Sequence, residues 1–414
     1  MSLPPFKFKS ESQLPEKQTY RIFWLLLPLL SLNGMAIDLI APSLPAIAIN
    51  LHASASTVKN LITIYLLGFA LGNFCSGFLT DSLGRKHILR TALLGFFMAN
   101  LLPVIIPNIN VLLLARFFQG ITLGSIAIVI RAVVSDILPP QKLVRAGTLM
   151  GSMYGIGTVI GPLIGGYLQF YIGWKACFLF FAIVSFIVLI VIFFILPETS
   201  FQRHPLKLKI IRQNLLEVFR HRPFMALVLM MGNAYSLVIV FNTAGPFLVQ
   251  TVLHHTSIFF GNIALCLGAS FLAATFFCRY LIKKYQVEYL LAFITHAVFI
   301  MAVVAWVISI LFNVTIFFLL GISIFVFFAV GSIFPMCMGK GISLFRHLAG
   351  TAGAVMFLIN VLMTTVLSFL LSLIKVQNSS TMIAIDAVLL GSCLLIYWFA
   401  IRPSSKNIPP ANEF

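Results

Sequence analysis

The chain has 414 residues, of which 60% are hydrophobic and 9% charged, and its mean hydropathy is +1.06. That balance excludes a soluble globular domain and describes an integral membrane protein. The formal net charge of +17 raises nucleic acid as a partner, but the basic residues alternate from loop to loop instead of forming one patch, which excludes it.

Apolar runs of about 20 residues, the length that crosses a bilayer as a helix, begin near Ile22, Leu61, Ile88, Val111, Ala146, Trp174, Phe224, Ile258, Tyr289, Val314, Leu348 and Met382. They predict an all-α membrane protein with twelve transmembrane helices in two pseudo-symmetric six-helix bundles. The first run exceeds a signal-peptide core and no small-residue cleavage site follows it, so it is expected to stay as a membrane helix. Counting the N-terminal tail as segment one, the odd-numbered segments hold 22 of the 27 Lys and Arg residues. The even-numbered segments hold only Lys59, Lys175 and Lys375, and Arg116 and Arg131 fall inside a helix. By the positive-inside rule, both termini are cytoplasmic and the protein is a multi-pass component of a plasma membrane.

The organisation expected is a tail over 1–21, a bundle over 22–197, a cytoplasmic linker over 198–223, a second bundle over 224–402 and a tail over 403–414. Within the linker Leu208, Ile211, Leu215, Val218 and Phe219 recur at helical spacing among Lys209, Arg212 and Arg220. This fits either an amphipathic helix on the inner membrane surface or a plain cationic linker. The six cysteines lie in or beside apolar runs without metal-ligand spacing, so they read as buried free thiols and no metal site is expected.

In chain order, the first feature is Asp38. It is the one acid well inside a predicted helix that no loop accounts for, and an ionised Asp at mid-membrane costs about 2.5–3.5 kcal/mol on insertion scales. Two roles fit: a proton carrier tuned by Arg116 of the fourth span as its coupling partner, or a purely structural ion pair with Arg116, since both residues sit a few positions from the outer ends of helices running in opposite directions. Asp386, near the outer end of the last span, is placed at the membrane boundary. After the second span comes Gly77-Phe78-Leu79-Thr80-Asp81-Ser82-Leu83-Gly84-Arg85-Lys86. Asp81 can cap the third helix, Gly84 permits a tight turn, and Arg85 and Lys86 hold the loop at the cytoplasmic face. Asp136, ending the fourth span on the same side, can complete a charge network with Asp81 and Arg85. Arg131 either joins that network or snorkels to the interface. Exposed ion pairs are worth about 0–1 kcal/mol, so close packing at Gly77 must help to hold this closure.

In the fifth span Gly157, Gly161 and Gly165 recur every four residues on one helix face, next to Gly166, and Pro162 removes a helical hydrogen bond. A bare, bent helix of this kind reads as a moving seam, expected to pack on the eighth helix near Gly261 or Gly268. Asn33, Tyr65, Asn73, Gln119, Tyr154, Tyr235 and Asn242 are polar or aromatic residues at membrane depth and candidates for lining a central cavity. About half of them are expected only to bridge helices.

These motifs resemble those of the major facilitator superfamily, drug:proton antiporter type. Gly77 to Lys86 is similar to its G-x-x-x-D-[RK]-x-G-[RK]-[RK] signature, with Ser82 in place of a basic residue. Arg116-Phe117-Phe118-Gln119-Gly120 is similar to the fourth-helix R-x-x-Q-G motif, and Gly157 to Gly166 to the fifth-helix G-x-x-x-G-P-x-x-G-G motif, which in this superfamily accompanies proton-exchanging exporters. Asp38-Leu39-Ile40-Ala41-Pro42-Ser43-Leu44-Pro45 resembles the D-x-x-x-P-x-L-P segment of the Bcr/CflA drug-resistance branch. The resemblance is dense in the first half and thin in the second, where Arg279 to Lys284 lacks the glycine and aspartate of the loop motif.

The resemblance implies alternating access, a small-molecule substrate, protons and membrane lipid as partners, a monomer in a bacterial inner membrane, and no cofactor beyond the proton gradient. The function expected is proton-coupled efflux of small molecules such as drugs. An exporter of a metabolite or siderophore, or a nutrient symporter of the same fold, are the alternatives. Enzymatic activity is not expected: no nucleophile, base and orienting acid recur at useful spacing, and there is no G-x-x-x-x-G-K-[ST] loop for ATP.

Overall fold

The computed structural model describes residues 15–199, 208–312, 314–345, 348–376 and 378–401. Among these, twelve helical segments are long and apolar enough to cross a membrane, and no strand occurs. The first span is composite: α1 (Glu16–Asp38), a 3-10 turn (Ala41–Ser43) and α2 (Leu44–Asn50). Pro42 and Pro45 sit at the starts of the two short pieces, where a missing N–H costs nothing. The span therefore continues to Asn50, so Asp38 lies at a break inside it rather than a few residues from its outer end as expected.

The other spans of the first half are α3 (Ala55–Leu83), α4 (Arg85–Ile105), α5 (Ile109–Ile137), α6 (Pro140–Tyr171) and α7 (Lys175–Ile195). A linker helix, α8 (Leu208–Arg220), precedes α9 (Arg222–Phe247), α10 (Ser257–Leu281), α11 (Val287–Leu311), α12 (Ile316–Leu344), α13 (Ala349–Leu373) and α14 (Ser379–Ile396). We call the side that carries residues 15 and 401 the terminal side and the opposite one the far side. Four of the six spans that start on the far side are capped by short polar residues: Ser54, Asn108, Thr256 and Asn378 each accept a hydrogen bond from an N–H in the first turn of α3, α5, α10 and α14, whereas α7 and α12 have no side-chain cap.

In the first half α1 packs on α6, α3 on α5, and α4 on α5 and α7; in the second, α9 packs on α12, α13 and α14, α10 on α12, and α11 on α14. The halves meet along α6 with α10 and along α3 with α13. Of the two expectations for the linker, a helix is formed, and it packs on the second half. Val218 is buried and Leu215 packs beside it on the second-half core, while Leu216 and Phe219 remain exposed. The side chains of Leu208, Lys209, Ile211 and Arg212 lie outside the described residues.

Candidate functional site

Asp38 ends α1 at the break in the first span and is only 6% exposed. Its Oδ1 accepts a hydrogen bond of 2.8 Å from Nδ2 of Asn242, a buried residue of α9. The carboxylate of one half is thus held by an amide of the other. Asp38 opens on a cavity between the halves lined by residues of α1, α3, α6, α9 and α13, including Asn33, Tyr65, Phe69, Tyr154, Tyr235, Ile239, Asn242, Asn360 and Thr364. Five of the seven cavity candidates therefore line it. Asn33 also donates to the Leu123 carbonyl at 3.1 Å, tying α1 to α5. Asn73 and Gln119 are not part of the lining: Asn73 lies further along α3 against Gly124, and Gln119 is engaged elsewhere. A carboxylate among three tyrosines and three amides can hold a proton, a cationic group or hydrogen-bond donors.

The expected Asp38–Arg116 ion pair is not formed. Arg116 is fully buried on α5, and its guanidinium donates to the Leu61 carbonyl at 3.3 Å, the Ala36 carbonyl at 3.2 Å and Gln119 Oε1 at 2.9 Å. It also stacks over the Tyr65 ring, 4.3 Å from its centroid. Gln119 in turn donates to the Ala99 carbonyl at 3.0 Å. The R-x-x-Q pair fastens α5 to α1, α3 and α4. The break in the first span leaves the Ala36 carbonyl open to Arg116, because the Ile40 N–H bonds to the Ile37 carbonyl instead, at 3.2 Å.

The bare face of α6 is turned towards α1, not towards α10. Side chains at Gly157 and Gly165 would strike the carbonyls of Ser31 and Leu39, and one at Gly161 would sit 3.2 Å from Asp38 Cβ. The seam with the eighth span uses the neighbouring face, about 100° further round. There Gly166 meets Ser257, whose Oγ donates to the Gly166 carbonyl at 3.0 Å. Gly261 packs on the Pro162 carbonyl and Gly268 on Val159. The expected contact with Gly261 and Gly268 is present, but Val159, Pro162 and Gly166 make it.

On the terminal side the turn between α3 and α4 has Gly84 at φ +97°, a conformation that disfavours any side chain, and a Cβ there would lie 2.7 Å from Glu198 Oε2. Glu198 accepts from the Arg85 N–H at 2.9 Å and the Lys86 N–H at 3.2 Å, so it caps α4. The expected cap, Asp81, falls within α3, and its side chain lies outside the described residues. Arg85 Nε pairs with Asp136 Oδ2 at 3.2 Å, and Thr199 Oγ1 donates to the same oxygen at 3.3 Å. Arg131 lies over the Phe357 ring of α13, 4.5 Å from the centroid, a contact between the halves. Gly77 makes no close packing contact: nothing lies within 4 Å of the position its Cβ would take.

Beyond the Asp38–Asn242 bond, side-chain hydrogen bonds that tie the halves together are found on the far side. Lys59 Nζ donates to the Ile374 carbonyl at 2.9 Å, Thr63 and Ser368 hydroxyls lie 2.8 Å apart, and Gln250 donates to the Pro42 carbonyl at 2.9 Å. Sequence reasoning missed Lys59, Glu198, Asn360 and Thr364. The four-residue spacing of Asn360 and Thr364, which puts both on one face of α13, was the available signal. Asp386, expected at the boundary, is buried because α14 begins at Ser379, two turns earlier.

The family model of the Major Facilitator Superfamily matches residues 26–368. The bicyclomycin resistance protein homolog of Haemophilus influenzae is 28% identical over 63% of this chain and 67% of its own length. Multidrug resistance protein D of Escherichia coli is 23% identical over 96% of this chain and 100% of its own. The chain spans less than two thirds of the length of some curated relatives it matches, 60% of one and 63% of another. Among solved structures, a bacterial homologue of the human lysosomal transporter Spinster, in an inward-facing, occupied conformation, superposes with a TM-score of 0.78 at 15% identity, covering 96% of this chain and 100% of that one.

Proposed function

The chain belongs to the Major Facilitator Superfamily, a family of transporters rather than enzymes, and on that footing we propose that it exports drug-like small molecules in exchange for protons. The observation that carries this reading is the buried Asp38 carboxylate, open to a cavity between the halves, packed against Gly161 of α6 and held across the interface by Asn242. A group that exchanges a proton for cargo must be reachable from the cavity and must touch the parts that move; Asp38 meets both needs. The glycine-rich face of α6 supports export by placing that helix directly against the carboxylate-bearing α1.

In this reading the terminal side is cytoplasmic, as the distribution of Lys and Arg requires. The protein works as a monomer in a bacterial inner membrane. The contacts of Lys59, Thr63 and Gln250 close the far side, so in this reading the conformation is the inward-facing one. Cargo enters the cavity from the cytoplasm and Asp38 gives up its proton there. After the halves rock, cargo leaves on the far side and Asp38 takes up a proton. The names of the bicyclomycin and multidrug resistance relatives support drugs as the cargo class.

The test is accumulation of bicyclomycin and of ethidium in cells expressing the protein, with and without a proton uncoupler. Expression lowers accumulation, the uncoupler restores it, and Asp38→Asn abolishes active efflux at unchanged protein level. An Asp38→Asn profile equal to wild type overturns the coupling role, and uptake that rises with expression replaces the exporter with a symporter.

A further inference from the structure

We propose that Asn242 is a positioning residue for proton coupling: by donating to the ionised Asp38 carboxylate it keeps the empty, deprotonated protein closed on the far side. The inference rests on the antiport reading of Asp38. Asn242 Nδ2 lies 2.8 Å from Asp38 Oδ1, and the two residues are 3% and 6% exposed, so the bond is shielded from water. It joins α9 of one half to α1 of the other, 204 positions apart in the chain. The other far-side contacts, Lys59 to Ile374, Thr63 to Ser368 and Gln250 to Pro42, involve no acid and do not respond to the carboxylate's proton.

The groups around Asp38 leave the amide as its partner. Tyr65 from α3, Tyr154 from α6 and Tyr235 from α9 face the same cavity, yet none has a hydrogen bond to the carboxylate. Arg116 from α5 is occupied by two backbone carbonyls and Gln119, and Arg131 stands over Phe357. The residues that α13 brings to the cavity, Asn360, Val361 and Thr364, carry no charge, and α10 brings none.

An amide N–H bond to a carboxylate is charge-assisted and roughly twice as strong as one to a neutral acceptor. When Asp38 binds a proton from the far-side solution, an O–H bond forms, the charge is cancelled and the assistance is lost. When that bond breaks on the terminal side, the proton passes to water and the grip on Asn242 returns. The protonated form passes between the two conformations, and so does a form whose cargo satisfies the carboxylate. The ionised, empty form does not. Obligatory exchange follows, because the one return path that would leak protons is held shut.

The experiment uses purified full-length protein in liposomes loaded with a pH-sensitive dye, under an imposed pH gradient and without cargo. Wild type is expected to be proton-tight. Asn242→Leu, which keeps the volume and removes the donor, raises cargo-independent proton flux roughly tenfold, the scale of losing one bond to a charged group. Adding Asp38→Asn abolishes that leak. Asn242→Ala serves as a second variant should Asn242→Leu fold poorly, and Thr63→Ala, which removes a neutral far-side hydrogen bond that does not touch Asp38, should leak several-fold less. The inference is overturned if both Asn242 variants remain tight while bicyclomycin- or ethidium-driven proton exchange persists, or if Thr63→Ala leaks equally. If wild type shows no Asp38-dependent exchange with either probe, the antiport reading itself fails and takes the inference with it.

Discussion

Arg116 distributes its donors over carbonyls of α1 and α3 and over Gln119, which makes it a fastener of the first half rather than a counter-ion. Gln119→Leu should strand a buried guanidinium N–H at a cost of about 1–3 kcal/mol, read as a lower melting temperature in detergent. Proton-driven efflux by the folded fraction should persist, because neither residue touches Asp38; loss of coupling at unchanged stability would contradict the assignment. Arg116→Lys should behave in the same way, since an ammonium cannot reach both carbonyls and the amide from one plane. Asp38 itself was legible in the sequence, as an acid in an apolar run. Its partner was not. Asn242 could be placed at membrane depth, but only the docking of α9 on α1 decides which amide meets which acid, over a separation of 204 residues.

At the level of elements, α6 presents two faces with different duties. Gly157, Gly161 and Gly165 let it lie against α1, while Val159, Pro162 and Gly166 meet α10. Gly165→Leu should therefore fail at the level of folding, with little protein recovered, because its side chain would run into the Leu39 carbonyl. Gly77→Leu should differ. Nothing stands near that position in this conformation, so stability should change by no more than about 0.5 kcal/mol, yet transport should fall if the terminal side must close over Gly77 in the opposite state. Normal transport by Gly77→Leu would remove that glycine from the closure. The turn before α4 shows how far local sequence reaches. Gly84 is legible because a tight turn at positive φ needs glycine, whereas the cap comes from Glu198, at the exit of α7, which no local pattern links to α4.

For the whole molecule, the two halves are joined on the far side by neutral hydrogen bonds, one lysine and the Asp38–Asn242 contact. Thr63 and Ser368, with hydroxyl oxygens 2.8 Å apart, mark where α3 meets α13. The pair Thr63→Cys and Ser368→Cys should form a disulfide on oxidation that stops transport, and reduction should restore it. Undiminished transport by the fully cross-linked protein would show that the far side need not open. The sequence by itself determined the twelve spans, the alternation of basic loops and the motifs of the family, because partition into lipid depends on composition summed over about 20 residues and tight turns on one or two. Only the tertiary structure decided the depth of Asp38, its partner, the face that α6 turns to α1 and the true cap of α4. Those depend on how far each helix is rotated and shifted against its neighbours, which many weak contacts spread over both halves set together and no short stretch of chain encodes.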